Sequence, residues 1–207
     1  MAFLDIYVAK YPFECDENIS CQKRSDEIKK CRNEEVKKQK FYVWKLLEFA
    51  LQKSLSLDAN SLNFIKKENG KWIVDKCYFS LSHSGNLVAV AISDSPVGID
   101  IQKHVLLNIT PKLLDLVLSK EEIIKYPHIT NEKLLEMWSI KECAFKISEE
   151  KNFVSHHYTV DNFPHQKSVD ITCQDELYKL SFLCDNISYV KYYYSFDGGS
   201  LCQIKNL

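Results

Sequence analysis

Residues 97–102 read Val-Gly-Ile-Asp-Ile-Gln. Apolar and polar residues alternate along this stretch, which predicts a β-strand with its three aliphatic residues on one face. Asp100 and Gln102 then share the opposite face, because side chains repeat every two residues along a strand. A strand of this kind needs a core on one side and offers two polar groups on the other.

Residues 131–147 lie about 40 positions further along and are apolar on most sides, which is typical of a buried helix. Glu142 and Lys146 are four residues apart in this helix, so they share a face. A carboxylate in apolar surroundings is costly to bury without a partner. Two interpretations are open: an internal ion pair between Glu142 and Lys146, or a cation bound by Glu142.

Helical spacing also predicts one long helix over residues 25–55, broken near Asn33. Thr110-Pro111 indicates a helix start with proline in the first turn. Ser119 and Glu122 have the spacing of a capping box, which indicates another start. Alternation and turn residues predict strands at 3–8, 62–66, 71–74, 79–82, 87–92, 97–102, 169–173, 177–183, 187–196 and 201–204.

The order strand, helix, strands is therefore followed by strand, helices, strands. This repetition predicts an α+β protein built from two similar α/β halves that are related by a pseudo-twofold axis. We expect the N-terminal half to cover residues 1–95. We expect the C-terminal half, which carries the polar strand and the buried helix, to cover residues 96–207.

Composition excludes several other classes of protein. The 207 residues carry 27 basic and 28 acidic side chains, a net charge of −1, so nothing indicates a nucleic-acid partner. No apolar run approaches the roughly 20 residues of a membrane-spanning helix. The N-terminal stretch lacks the basic leader of a secretory signal, which predicts a cytoplasmic location. Eight cysteines without CxxC spacing are then expected to be free thiols.

Four short motifs together resemble the 4′-phosphopantetheinyl transferase superfamily. The strand at 97–100 and the segment at 138–146, Trp-Ser-Ile-Lys-Glu-Cys-Ala-Phe-Lys, match its signature. Residues 82–84, Ser-His-Ser, and Gly70-Lys71 are similar to two elements of the longer, Sfp-type subfamily, although Trp72 replaces that subfamily's proline. The length and the two halves are similar to the pseudo-dimeric fold of that subfamily, which implies a monomer.

The resemblance implies transfer of the 4′-phosphopantetheine arm of coenzyme A to a serine of an apo acyl or peptidyl carrier protein. The products would be holo carrier protein and adenosine 3′,5′-bisphosphate. It implies Mg²⁺ held by Asp100, Gln102 and Glu142, where Gln102 departs from a frequent third carboxylate. Glu142 would also serve as general base, and Lys146 would neutralise phosphate charge. The alternative is a catalytically impaired protein that binds coenzyme A or a carrier. A metal-dependent phosphodiesterase is a third hypothesis, and fewer residues of the sequence support it.

The resemblance further implies a coenzyme A site made of Lys38, Lys40, Gly70, Lys71, Ser82, His83 and Lys146. Residues 21–40 hold eight basic and four acidic side chains, and the family binds the 3′-phosphate in this region. Lys30 and Arg32 are further candidates. A solvated helix face explains the same charges, and an exposed hairpin position explains Lys71. Glu122 is either a capping residue or an acid near the metal.

Residues 104–126 mix apolar and basic side chains after the polar strand. Because carrier proteins are generally acidic around their serine, this segment is a candidate docking surface. The same leucines are equally well explained as core residues. The side chains concerned are Leu113, Leu116, Leu118, Lys112, Lys120 and Lys125.

Overall fold

The computed structural model of the chain describes residues 2–160, 166–186, 188–195 and 204–205. Within these ranges the strands are β1 (Phe3–Lys10), β2 (Ile65–Lys66), β3 (Trp72–Ile73), β4 (Tyr78–Ser84), β5 (Leu87–Ser93), β6 (Val97–Lys103), β7 (Gln166–Cys173), β8 (Glu176–Cys184), β9 (Tyr189–Ser195) and β10 (Ile204–Lys205). The helices are α1 (Gln22–Lys29), α2 (Glu34–Leu55), α3 (Pro111–Val117), α4 (Lys120–Lys125) and α5 (Asn131–Ile147). The α+β class predicted from the sequence is confirmed.

Two sheets form the centre of the molecule. The first has the strand order β10-β9-β1-β5-β4, and the second has the order β6-β8-β7. β1 pairs antiparallel with β5 and parallel with β9. The chain changes sheets between β5 and β6, where the seam between halves is predicted. β9 and β10 nevertheless return to the first sheet, so the N-terminal half does not build its sheet alone, and the division at residue 95 stays a prediction.

The layers follow from which face of each strand is apolar. Helix α2 packs on one face of the first sheet, and the opposite face packs against the second sheet. Helix α5 covers the outer face of the second sheet, so the order of layers is helix, sheet, sheet, helix. The inner layer is aliphatic and aromatic on both sides. It includes Ile6, Ala89, Ile99, Leu180 and Phe182, each at most 2% exposed.

The predicted helix break, capping box and hairpin turns are present, although α1 begins at Gln22 rather than at residue 25. The side chain of Asn33 caps α2 by accepting a hydrogen bond from the amide of Val36 at 3.0 Å, so the long helix is broken there. Ser119 and Glu122 form the predicted capping box of α4. Gly70 and the turn after β4 both adopt positive φ angles at the predicted hairpins. The final predicted strand, at 201–204, falls mainly on residues outside those described, as does Cys202.

Serines connect the two sheets at the edge where the polar strand lies. The hydroxyls of Ser80, Ser82 and Ser84 accept hydrogen bonds from the backbone amides of residues 99, 101 and 103 at 3.0, 3.1 and 2.9 Å. These serines alternate along β4, so all three point to one side. These side-chain hydrogen bonds thus connect β4 to β6 in place of backbone-to-backbone hydrogen bonds. They bring Asp100 of β6 beside Ser82 of β4.

Gly98 sets the distance between the second sheet and α5. A Cβ at this position would lie 2.0 Å from the carbonyl oxygen of Cys143, in the middle of the helix. The strand therefore needs glycine here because the helix backbone passes directly over it. The close approach brings the last turns of α5 onto the polar face of β6.

Candidate active site

Asp100 is the centre of a buried polar cluster. It is 3% exposed, and its two oxygens accept four hydrogen bonds. Oδ1 accepts from the hydroxyl of Ser82 and the ammonium of Lys146, both at 2.9 Å. Oδ2 accepts from the amide of Gln102 at 3.0 Å and from the hydroxyl of Ser139 at 2.9 Å. These four donors, of which only Lys146 is charged, hold the carboxylate of Asp100 in place inside the cluster.

Lys146 joins α5 to β6. Its Nζ donates to the carbonyl oxygen of Ile99 at 2.7 Å as well as to Asp100. Burial lowers the pKa of Lys146, but the charge and hydrogen bond of Asp100, together with the charge of Glu142 and the effect of Cys143, outweigh burial, so the pKa is raised. The side chain keeps a positive charge and remains 23% exposed, at the rim of the cluster.

Glu142 has no hydrogen-bond or ion-pair partner among the described residues. Lys146, one turn further along α5, pairs with Asp100 instead. The internal Glu142–Lys146 pair considered from the sequence is therefore not formed. Burial raises the pKa of Glu142, the charge of Lys146 opposes this, and the charge of Asp100 adds to it. A half-buried carboxylate with free oxygens is available to a cation or to a proton.

The residues predicted to hold Mg²⁺ lie together. Within the part of the chain that is described, no group of three or more His, Cys, Asp and Glu side chains is arranged to hold a metal ion. Asp100 and Glu142 nevertheless supply two neighbouring carboxylates, and the amide of Gln102 uses only its nitrogen, on Asp100. Magnesium often takes one or two carboxylates and completes its shell with water and substrate phosphates. The donor set fits an ion that is shared with a phosphate ligand.

A cleft of about 210 Å³ opens beside Lys146. Its walls come from residues 69–72, residues 79–81 and the end of α5. Gly70, Lys71 and Lys146, three of the predicted coenzyme A ligands, line it together. Burial lowers the pKa of Lys71, and the charge of Lys67 lowers it further, although Glu149 opposes both. Lys71 and Lys146 are the two basic side chains that line the cleft.

Ser82 and His83 are neighbours in sequence but point to opposite sides of β4. The hydroxyl of Ser82 is held by Asp100 and the backbone of β6. His83 lies on the α2 side, opposite Val88 of β5. Desolvation by the surrounding protein lowers the pKa of His83, and the positive charges of Lys146 and Arg24 lower it further. His83 is exposed and can contact a ligand, whereas the hydroxyl of Ser82 is bound to Asp100.

The basic residues of 21–40 are divided between different surfaces. Lys40 pairs with Glu27 at 2.9 Å, and Lys66 of β2 pairs with the same carboxylate at 3.0 Å. Lys38 is exposed and lies about 200° from Lys40 around the helix, because each residue turns the helix by 100°. Lys30 and Arg32 are also exposed. One phosphate is therefore not within common reach of Lys38 and Lys40.

Arg24 is the basic residue that sequence reasoning missed. It is 5% exposed, donates to the backbone of Lys40 at 3.0 Å, and lies 3.3 Å from Glu27. Its Nε is buried without a hydrogen-bond partner. The sequence did contain a signal for its burial: Arg24 lies three residues after Cys21 and four before Ile28, which places it on the apolar face of the helix. Burial raises the pKa of Glu27, but hydrogen bonds from Lys40 and Lys66 reverse this and lower it to about 2.

Two motif residues of α5 have structural partners. Ser139 donates to Asp100, a role that the sequence did not indicate. Lys141 is fully buried and pairs with Glu122 at 2.5 Å. Glu122 also accepts from the backbone amides of Ser119 and Val160, at 2.8 and 3.2 Å. The capping role predicted for Glu122 is therefore confirmed, and donors occupy both of its oxygens, whereas a place near the metal ligands stays a prediction.

The family match found by comparison with known proteins includes the central residues of the candidate site. Residues 96–192 match the model of the 4′-phosphopantetheinyl transferase superfamily. Over these 97 residues the chain is similar to that superfamily, in agreement with the resemblance of the motifs. This region contains β6 and α5, with Asp100, Gln102, Glu142 and Lys146. The residues of the N-terminal half that are candidates for binding coenzyme A, including Lys71 and His83, lie outside the matched residues.

Three relatives show how far the similarity extends. The chain is 34% identical over 97 residues to the 4′-phosphopantetheinyl transferase gsp of Aneurinibacillus migulanus, covering 44% of the chain and 40% of that protein. It is 29% identical over 115 residues to psf-1 of Bacillus pumilus, covering 50% and 46%. It is 26% identical over 106 residues to Sfp of Bacillus subtilis strain 168, covering 49% and 47%. The matched part spans less than half the length of each relative.

Proposed function

We propose that the protein transfers the 4′-phosphopantetheine arm of coenzyme A to a serine hydroxyl of an apo carrier protein. The observation that carries the proposal is the juxtaposition of Asp100, Glu142 and Lys146 with a cationic cleft at the end of α5. The superfamily match over residues 96–192 and the printed names of the relatives support it. Adenosine 3′,5′-bisphosphate is the second product of this reaction.

Glu142 and Lys146 have separate roles in the proposal. The serine oxygen attacks the phosphorus that carries the pantetheine arm, and the bond from that phosphorus to the adenosine bisphosphate breaks. Glu142 accepts the serine proton, since its carboxylate has no other partner and burial raises its pKa. Lys146 stays charged and stabilises negative charge on the transferred phosphate and the leaving group.

Mg²⁺ is the cofactor that these residues fit. Asp100, Glu142 and the amide oxygen of Gln102 would hold it, together with oxygens of the pyrophosphate. When bound, the ion would neutralise pyrophosphate charge as a Lewis acid. Ser82 and Ser139 keep Asp100 oriented through their hydrogen bonds.

We infer that the adenosine end of coenzyme A lies toward α1. Arg24, Lys40 and Lys66 converge on the single carboxylate of Glu27, so the group carries a surplus of positive charge. His83 lies within the electrostatic reach of Arg24. This cluster replaces the predicted pair of Lys38 and Lys40 as the candidate for the 3′-phosphate. Gly70 and Lys71 remain candidates at the cleft.

The candidate carrier surface is narrower than the sequence indicated. Leu118 is 2% exposed, and Leu113 packs partly buried against the same core, so these two belong to the interior. Leu116 remains 61% exposed, and Leu106 and Ile124 are 96% and 80% exposed. The lysines at 112 and 120 are exposed beside them. We propose that these apolar side chains contact the carrier and that the lysines attract its acidic surface.

The decisive experiment incubates the protein with coenzyme A, Mg²⁺ and an apo carrier protein. A mass gain of one phosphopantetheine arm on the carrier is the expected result. Binding of coenzyme A without this gain would instead indicate a protein that has lost catalysis. Among the described residues, no helix is long and apolar enough to span a membrane. A cytoplasmic location and a monomeric state stay predictions.

A further inference from the structure

The β2–β3 hairpin forms one wall of the cleft without belonging to either sheet. Asn69, Gly70 and Lys71 at its tip face Phe145 and Lys146 of α5 across the cleft. The hairpin has only two paired residues in each strand. Its tip is closed by the backbone hydrogen bond from the amide of residue 67 to the carbonyl of residue 71, at 2.8 Å. So short a hairpin needs side-chain contacts to fix its distance from α5.

Those contacts reach the segment that directly follows α5. Lys67 donates to both oxygens of Glu149, at 2.9 and 2.8 Å. Asn69 donates to the carbonyl oxygen of Glu150 at 3.4 Å. A second ion pair, Lys151 with Glu68, has a length of 2.8 Å but is far more exposed, with side chains 74% and 84% accessible. Lys67 is 35% exposed and Glu149 is 72% exposed, so the shelter of this pair relative to the Lys151–Glu68 pair comes mainly from Lys67.

We propose that the Lys67–Glu149 ion pair is a positioning contact, which fixes the hairpin wall of the coenzyme A cleft against α5. The inference rests on the proposed function for the identity of the ligand. Glu149 does not touch the site of phosphate transfer. It acts through Lys67 on the position of Gly70 and Lys71, three and four residues further along the hairpin.

The charge of Glu149 allows two roles to be distinguished: positioning of the hairpin, and direct electrostatic repulsion of an anionic ligand. Glu149 is the acidic group that opposes the positive charges of Lys67 and Lys71. If it acted only through its charge, Glu149→Gln would leave the cleft more positive and would lower the KM for anionic coenzyme A. If it positions the hairpin, the same substitution raises that KM. The sign of the change therefore decides between the two roles.

The test compares three variants with the wild type for KM, kcat and melting temperature. We expect Glu149→Gln to raise the KM for coenzyme A about threefold to fivefold, the range expected for one partly exposed ion pair, with little change in kcat. The double variant Lys67→Glu, Glu149→Lys should restore most of the KM, because it keeps both the pair and the net charge. Glu68→Gln is the matched control and should leave KM unchanged.

Hydrogen exchange of residues 67–71, measured without substrate, provides a readout that is independent of activity. Faster exchange in Glu149→Gln and recovery in the double variant are expected. A lower or unchanged KM in Glu149→Gln, or exchange equal to that of the wild type, would overturn the positioning role. If the wild type transfers no arm, the proposed function fails, while the exchange data still decide whether the pair holds the hairpin.

Discussion

Replacing Gly98 by alanine should separate α5 from the second sheet. The added Cβ would lie 2.0 Å from the carbonyl oxygen of Cys143 and 2.7 Å from its carbonyl carbon. Ordinary contact between such atoms is above 3 Å, so strand or helix must move by about 1 Å. Overpacking that forces a backbone shift costs about 1–3 kcal/mol, and we expect the upper end here. For a chain of this size, about 3 kcal/mol lowers the melting temperature by roughly 6–12 °C.

The same shift should impair catalysis, because Lys146 lies in the displaced part of α5. Its ammonium is 2.7 Å from the carbonyl of Ile99, the residue after the glycine. A misplacement of about 1 Å can lower a rate about 100-fold, and we expect a kcat loss of this order. Thermal unfolding and the carrier assay measure both effects. Because the clash is with a backbone oxygen, adding Cys143→Ala should not rescue the variant. Rescue, or wild-type stability of Gly98→Ala, would refute the reasoning.

Three further predictions follow from the ionised groups. Glu142→Gln should lower kcat about 100-fold or more while the melting temperature stays equal or rises, because burial disfavours the unpaired carboxylate. Glu122→Gln should cost about 3–5 kcal/mol in urea unfolding, because it leaves Lys141 buried without its partner. Glu27 has a folded pKa of about 2 against an ordinary 4.5, so its stabilisation is present above pH 4.5 and is lost as the pH falls toward 2. In Glu27→Gln, acid unfolding over that interval should be less steep; an identical profile would contradict this assignment.

The polar strand and the buried helix could be predicted because each follows a local rule. Alternation placed Asp100 and Gln102 on one face, and helical spacing placed Glu142 one turn from Lys146. The capping box of Ser119 is equally local and is present as predicted. Rules of this kind use only residues within a few positions of one another. They identify the groups but not the pairs that these groups form in space.

The pairs that sequence reasoning missed connect distant segments. Lys146 is bound by Asp100, 46 residues earlier, rather than by Glu142 on its own helix. Arg24 contributes to the cationic cluster only because α1 packs beside α2 and an ion pair between Glu27 and Lys66 connects α1 to β2. β9 joins β1 across most of the chain, and no spacing within either segment indicates this pairing. Contacts between distant residues depend on the packing of the layers, which is decided by the whole core.

The unusual amide at position 102 is explained by the hydrogen bonds of Asp100. That carboxylate has four donors. They are two serine hydroxyls, the ammonium of Lys146 and the side-chain nitrogen of Gln102. A glutamate there would lack this donor and would place a second negative charge beside a buried one, which raises the free energy of the metal-free protein. Gln102 therefore stabilises the site before a cation binds, at the expense of one charged ligand. Gln102→Glu should accordingly reduce the Mg²⁺ concentration needed for half-maximal rate and lower the melting temperature without Mg²⁺.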